Sequence, residues 1–224
     1  MAGQLNPEIR VKFWSKFTGW CHQAVVLGYI EMRKKPIDCR EWEEEDISKA
    51  LYLEMKKLDI IKSRKISIIP EFRMYGKEYS LKEGNAKEAD RIDFRFSNWK
   101  SKKELEYFGE AKNLSLKDWT KSCTSAKINA SKYRGRYIDT GIKKLITGGY
   151  ALLDGFLIGF VVNGSAKKNV SALNKLISTR SLPPDYNLIE NKKTIRSYSE
   201  CYSSKNIKGS NEVILEHIFL EFDS

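Results

Sequence analysis

The sequence predicts an α/β (α+β) domain, with a central mixed β-sheet of about four to five strands flanked by helices and an N-terminal helical extension. Three observations predict it. Apolar residues recur at helical spacing up to Pro36 and again from about Glu41 to Leu58. The texture then changes to short runs of strand character between Ile66 and Val162. Helical stretches also fall between and after those runs, giving the order α-α-β-β-β-α-β-α-β.

The first helix is expected from Pro7 to about Lys35, with Ile9, Val11, Phe13, Phe17, Trp20, Ala24, Leu27 and Ile30 as its apolar set. Pro7 suits a first helical turn, and Pro36 marks the end. Gly19 and Gly28 are possible interruptions. The second helix places Ile47, Leu51, Met55 and Leu58 on one face. Its first turn is crowded with Glu43, Glu44, Glu45 and Asp46, acids that complement the helix dipole.

Ile66 to Ile69 reads as a strand start, and Gly76 and Lys82 to Glu88 read as turns. Arg91 to Phe96 alternates strictly, with Ile92, Phe94 and Phe96 on one face and Arg91, Asp93 and Arg95 on the other. Asn98 to Lys103 is a polar turn, and Leu105 to Leu114 is the returning strand of a hairpin. Lys117 to Lys144 is a basic, mostly helical stretch ending near Gly148-Gly149. Phe156 to Val162 is a continuous apolar run and reads as a buried strand. Val170 to Thr179 is a short helix, Leu182-Pro183-Pro184 a loop, and His217 to Phe222 a last strand. The 224 residues fit a single domain: 1–40 as the helical extension, 41–165 as the core, and 166–224 completing it.

Composition narrows the partners. Hydrophobic residues make up 41% and aromatics 12%, enough for a real core. Lys and Arg exceed Asp and Glu by 11, and the pI is near 9.3, a balance that attracts polyanions. No run of about 18 apolar residues suggests a membrane span, and Met1 to Arg10 lacks the apolar segment of a signal peptide, so a cytoplasmic protein is expected. Cys21, Cys39, Cys123 and Cys201 form no CxxC pair, which argues against a thiolate zinc site. His22 and His217 lie far apart, so a bound metal would be held by oxygen.

The hairpin concentrates the chemistry. Glu110 and Lys112 share a strand face while Ala111 points away. A suitable register brings Asp93 alongside Glu110. Two adjacent carboxylates repel unless a cation lies between them, and Mg²⁺ is held by one or two carboxylates plus water and phosphate oxygens. Lys112 would stand near the attacking water, where an ammonium can orient it or stabilise developing charge.

Asp93 followed by Glu110-Ala111-Lys112, on consecutive strands after a helical region, resembles the PD-(D/E)xK nuclease superfamily, the restriction-endonuclease-like fold. The resemblance implies an α-β-β-β-α-β core, matched here from about Glu41 to Val162. It implies a metal-dependent endonuclease cutting DNA, with Mg²⁺ (Mn²⁺ able to substitute) bound by Asp93, Glu110 and the Ala111 carbonyl, and Lys112 assisting water. It also implies an acid from the first core helix, chosen among Glu44, Glu45 and Glu54 with Glu45 favoured; Glu71 is another possible acid. Ile92 stands where the family often has proline. The segment Tyr133 to Ile142, with Gly149-Tyr150-Ala151 and the strand after it, is similar to a layout in bacterial restriction and phage-defence nucleases.

Lys117, Lys121, Lys127, Lys132, Arg134, Arg136, Lys143 and Lys144 are candidates for phosphate contacts, interleaved with Trp119, Tyr133 and Tyr137. Core packing is the expectation for Trp119 and Tyr137. DNA is the expected partner. Cutting both strands of a duplex needs two sites, so a homodimer is expected, and a partner protein of a defence complex is expected by analogy. The rival expectations are a catalytically silent nucleic-acid-binding or assembly subunit and an RNA-cleaving member of the same fold.

Overall fold

The computed structural model describes residues 7–73, 91–100, 103–146, 154–180, 182, 186–191, 195, 197–208 and 210–223. The turns expected at Gly76 and Lys82 to Glu88, the stretch Gly148 to Ala151, and Pro183-Pro184 lie outside these residues. Helices α1 (Pro7–Arg33), α2 (Glu44–Met55) and α3 (Asp59–Arg64) come first. Strands β1 (Ser67–Arg73), β2 (Arg91–Lys100) and β3 (Lys103–Ser115) follow, then the two-residue strands β4 (Trp119–Thr120) and β5 (Lys127–Ile128). Next come α4 (Ala130–Arg136), a π-helical turn (Tyr137–Ile142), α5 (Lys143–Ile146), β6 (Gly155–Asn163) and α6 (Ala166–Thr179). Strands β7 (Ile189–Glu190), β8 (Cys201–Lys208) and β9 (Asn211–Glu221) close the described chain.

The main sheet has seven strands in the order β1-β2-β3-β6-β9-β8-β7, more than the four or five expected. Strands β3, β6 and β9 run parallel, and antiparallel neighbours flank them. The excess comes from the C-terminal end. Strand β8 has no apolar alternation to announce it, because its inward Ser204 and Asn206 are buried polar residues. Ser204 bonds His217 at 2.9 Å, and the Asn206 amide donates to Ser204. Those bonds offset the desolvation of the Ser204 hydroxyl and the Asn206 amide N–H, so a strand forms without the usual hydrophobic signature.

Each sheet face carries its own core. One is built from α1, α2 and the sheet residues Phe94, Phe96, Ala111, Phe156 and Ile158. The other joins Phe108, Leu157 and Phe219 to the π-helical turn and α6. Strand β6 is buried from Phe156 to Val162, as its continuous apolar run requires with a core on both faces. Helix α1 runs through Gly19 and Gly28 without a break. A Cβ on Gly28 would stand 2.7 Å from Met55 Cγ and 3.3 Å from the Met55 backbone nitrogen, so glycine here permits the close approach of α1 and α2.

Three local expectations change. Helix α3 is additional. Asn98 lies buried inside β2, its amide donating to the carbonyls of Arg64 and Lys65, so the hairpin turn is shorter than Asn98 to Lys103. The basic stretch is helical only from Ala130, because Asp118 and Asn129 accept the first free N–H groups of α4, from Ala130 at 2.8 Å and Lys132 at 2.7 Å. Before it, Trp119–Thr120 and Lys127–Ile128 pair as a small hairpin.

Candidate active site

Strands β2 and β3 pair from Lys100↔Lys103 as far as Phe94↔Gly109 and then part. One step further in the same register sets Asp93 opposite Glu110, the juxtaposition expected from sequence. Where the strands part, the β2-facing edge of β3 loses its backbone partners and side chains replace them. Asp93 Oδ2 accepts the Ala111 N–H at 2.7 Å, and Glu44 Oε2 accepts the Asn113 N–H at 3.0 Å. The Ala111 carbonyl accepts from Lys112 Nζ at 2.6 Å.

Strict alternation also fails here. Phe94 and Phe96 enter the core beneath α1 and α2, whereas Ile92 enters the opposite core. On the neighbouring strand Glu71 has φ 49°, the left-handed region, and sits between the pairs Pro70↔Phe94 and Phe72↔Ile92. Strand irregularities of this kind re-aim side chains. The one at Glu71 and Asp93 turns the following residues to the other face.

The Lys112 ammonium is the centre of the site. It lies 2.8 Å from Glu110 Oε1, 2.9 Å from Glu44 Oε1 and 3.9 Å from Asp93 Oδ2. Glu110 and Lys112 are buried, and Glu110 Oε2 has no hydrogen-bond partner. Three carboxylates therefore face one ammonium in mostly buried surroundings. Burial, then repulsion from Asp93, pushes the Glu110 carboxyl up to about 8 against the pull of Lys112. Burial likewise raises Asp93 to about 6, with Glu44 adding to the rise and Lys112 opposing it. Burial works against the charge on Lys112, but Glu110, Glu44 and Asp93 outweigh it and hold its pKa above the ordinary lysine value. The cluster is short of positive charge and keeps a proton on the carboxylates near neutral pH.

The acids before and within α2 divide among distinct jobs. Asp46 accepts the Glu43 N–H at 3.1 Å and closes the helix start. Glu45, the favoured helix acid, instead pairs with Arg91, which also meets Glu71 at 3.3 Å. Glu54 is held by Lys35 at 2.5 Å and Lys57 at 3.0 Å. Glu44 is the helix acid that reaches Lys112. The reason is helical phase: Glu44 stands three residues before Ile47 on the stripe that continues to Leu51 and Met55, the face turned to the sheet, and Glu45 is about 100° further round. That apolar stripe was the sequence signal for Glu44.

The basic candidates also separate. Lys121 is 1% exposed; its ammonium donates to the carbonyls of Glu41 and Trp42 and pairs with Glu43 at 2.6 Å, so it fastens the β4–β5 hairpin to the start of α2. Arg134 donates to the Ser115 carbonyl at 2.6 Å. Lys121 is structural, contrary to the expectation of a phosphate contact, whereas Arg134 is half-buried. Lys117, Lys127, Lys132 and Arg136 are exposed, and Lys143 and Lys144 half-buried. Tyr137 is fully buried, its hydroxyl 2.9 Å from His217 Nδ1, and Trp119 is half-buried edge-to-face with Tyr133, both packed as expected. The π-helical turn brings Gly141 against the site, with a Cβ there 3.8 Å from Lys112 Cγ and 2.8 Å from Leu157.

The two histidines serve the core. His22 meets the Tyr107 hydroxyl at 2.9 Å, and burial lowers the pKa of both His22 and His217 to about 3. Among the described residues no group of three or more His, Cys, Asp and Glu side chains has a metal-binding arrangement. Mg²⁺ commonly takes only one or two carboxylates and fills its shell with water and substrate oxygens. Asp93, Glu110 with its unpartnered Oε2, and the Ala111 carbonyl are the donors that fit such an ion. No described helix is long and apolar enough to cross a membrane. In comparisons with protein-family models, curated proteins and solved structures, nothing matches the chain.

Proposed function

We propose that the chain is a Mg²⁺-dependent phosphodiesterase that cuts DNA, an endonuclease of bacterial restriction or phage defence on the restriction-endonuclease-like plan. One observation carries this: Asp93, Glu110 and Glu44 converge on Lys112 where β2 and β3 part, and a buried oxygen of Glu110 is left without a partner. The element order lends support, with an acid on β2, acid-x-lysine on β3, and helix before the next strand β6.

Asp93, Glu110 and the Ala111 carbonyl would hold the ion. A bound Mg²⁺ lowers the pKa of its water and neutralises phosphate charge. Lys112 holds its proton at Nζ, ready to orient the attacking water or to balance charge on the phosphorane-like transition state. Glu44 acts through its neighbours, anchoring β3 at the Asn113 N–H and steering the ammonium. Exposed Lys117, Lys127, Lys132 and Arg136 supply positive charge for the DNA backbone.

The test is cleavage of plasmid, linear duplex, single-stranded DNA and RNA by wild type and Lys112→Ala in Mg²⁺, Mn²⁺ and chelator. Metal-dependent DNA cutting that disappears in the variant is expected. Equal rates for the two proteins reject the assignment, and cutting confined to RNA moves the substrate.

A second reading, a catalytically silent nucleic-acid-binding subunit, is favoured by the ion pairs of Lys112 with Glu110 and Glu44, which can serve as a structural tie between β3 and α2. Such a protein binds nucleic acid equally well in chelator and cuts nothing.

A further inference from the structure

The sheet is covered unevenly where β8 and β9 pair. Residues paired across two strands share a face, and alternate residues return to it. Tyr202, Ser204 and Asn206 of β8, with Leu215 and His217 of β9, take one face and are all buried. The other face begins as core, with Cys201 paired to Ile218 beneath α1 and α2. Further along it opens. Ile214 is 62% exposed and Ile207 61%, and Ile189 of β7, which joins the same face opposite Ser203, is 66% exposed. These are three of the eight large exposed apolar side chains among the described residues, and the other five are divided among α1, α2, β1 and β2. A cavity of about 400 Å³ lies between this face and α1, bordered by Ile214 on the sheet and by Ser15 and Thr18 on the helix. Val11, 68% exposed, stands four residues before Ser15 on the same stripe of α1. Contiguous exposed apolar surface of this kind marks an interaction site.

The pattern on this face selects the partner. Lys205 pairs with Ile214 and Ile207 with Glu212, so the isoleucines occupy one diagonal and two opposite charges the other. Lys205 and Glu212 meet at 3.4 Å, and both side chains stay largely exposed. The patch is therefore neutral, whereas the whole chain carries +11. Two copies repel over most of their surfaces, and a neutral apolar patch is where they can close. Neighbouring strands are about 4.8 Å apart, and alternate residues on one face about 6.7 Å. On that grid a second copy can be turned onto the face about a two-fold axis that lies in the sheet plane, crosses the strands and passes between the two pairs. Ile207 of each copy then stands beside Ile214 of the other, and Lys205 of each beside Glu212 of the other. A two-fold axis along the strands sets lysine beside lysine instead, so charge selects the first. Two faces packed with aligned strands interdigitate their side chains about 10 Å apart. The patch is smaller than the roughly 800 Å² per partner of a standard interface, so association in the micromolar range is expected.

We infer that the open face of β8 and β9 is a dimer interface, on which a second copy of the chain packs through Ile207 and Ile214 and exchanges the ion pair of Lys205 with Glu212 across a two-fold axis. The inference does not rest on the nuclease proposal, and Lys112→Ala should dimerise as wild type does.

The experiment is sedimentation velocity of the full chain from about 2 to about 200 µM, a range that spans the expected affinity. Wild type should pass from 25.9 kDa toward twice that mass. Ile207→Asp and Ile214→Asp should stay monomeric throughout, because each sets an unpaired carboxylate against the other copy. Lys205→Glu and Glu212→Lys should each weaken the dimer about tenfold, and the double reversal Lys205→Glu with Glu212→Lys should recover wild-type association. The two single reversals change the net charge in opposite directions, so a loss in both does not come from overall repulsion. All four residues are exposed, so the melting temperature of dilute protein should match wild type in every variant. If an aspartate variant fails to fold, the charge reversals still decide. Wild type that stays monomeric at every concentration overturns the inference. So does a dimer that survives Ile214→Asp, which puts the interface elsewhere. A double reversal no better than the single ones also overturns it, because the two-fold exchange of charges is then absent.

Discussion

Asp93 and Ala111 are joined by a hydrogen bond that stands in for strand pairing: Asp93 Oδ2 takes the Ala111 N–H at 2.7 Å just beyond the last β2–β3 backbone pair, Phe94↔Gly109. The bond has two effects. It satisfies a buried donor where the strands part, and it leaves the Ala111 carbonyl on the same edge, turned toward Lys112. The acid therefore builds the gap in which it would act.

Asp93→Asn tests that dual role. The amide oxygen can still accept the Ala111 N–H, so the expected stability loss is small, about 1 kcal/mol. Metal binding and cleavage should fall by about a hundredfold or more, checked by Mg²⁺ titration of the cleavage rate. An unchanged titration curve removes Asp93 from the ion.

Helical phase makes Glu44 and Glu45 unequal. Glu44→Ala should lower cleavage by at least about tenfold, because it releases Lys112 and the Asn113 N–H together. Glu45→Ala removes only an exposed pair with Arg91, worth roughly 0–1 kcal/mol, and should cut within about twofold of wild type. Parallel kinetics on the two variants decide the matter, and the reverse ranking would restore Glu45 to the site.

The metal-free protein should lose stability as pH rises from 6.5 toward 8. Glu110, held at about 8 in the fold and near 4.5 unfolded, binds more protons when folded across that range. Asp93, raised to about 6, acts in the same direction at lower pH. Below 6.5 His22 and His217 act oppositely, because they charge in the unfolded chain but stay neutral in the fold until about 3, and they offset Glu110 and Asp93 so that stability is nearly level between about pH 4.5 and 6. Thermal melts across this range in chelator should show the level acid side and the alkaline slope, and Glu110→Gln should flatten the latter. A variant melting profile identical to wild type above pH 6.5 contradicts the assignment.

Lys121→Ala should behave as a folding variant. Its buried ammonium bonds two carbonyls and pairs with Glu43, whose side chain is exposed, so what is lost is mainly hydrogen bonding from a charged donor, about 1.5–3 kcal/mol. Lys127→Ala and Lys132→Ala should leave the melting temperature unchanged and each lower the salt slope of DNA binding by about one. Differential scanning calorimetry with salt-dependent anisotropy separates the two kinds of lysine.

What the sequence determined by itself is local. The strand character from Arg91 to Phe96, the acid-x-lysine on the next strand and the buried run Phe156 to Val162 are local signals that survive without knowledge of neighbours, although the side taken by Ile92 is not among them. They were enough to set Asp93 and Glu110 on adjoining strands, which pair antiparallel as far as Phe94↔Gly109. Tertiary structure decided the rest. Strand β8 exists because His217 and Asn206 satisfy buried Ser204, a pairing invisible to a hydrophobic pattern. Glu44 rather than Glu45 meets Lys112 because α2 docks on the sheet through Ile47, Leu51 and Met55, which fixes its rotation. Lys121 is an anchor because a distant helix start offers it two carbonyls and a carboxylate. Side-chain periodicity is written along the chain, but the partner of a charged group is set by packing between segments far apart in sequence, and only the folded arrangement specifies it.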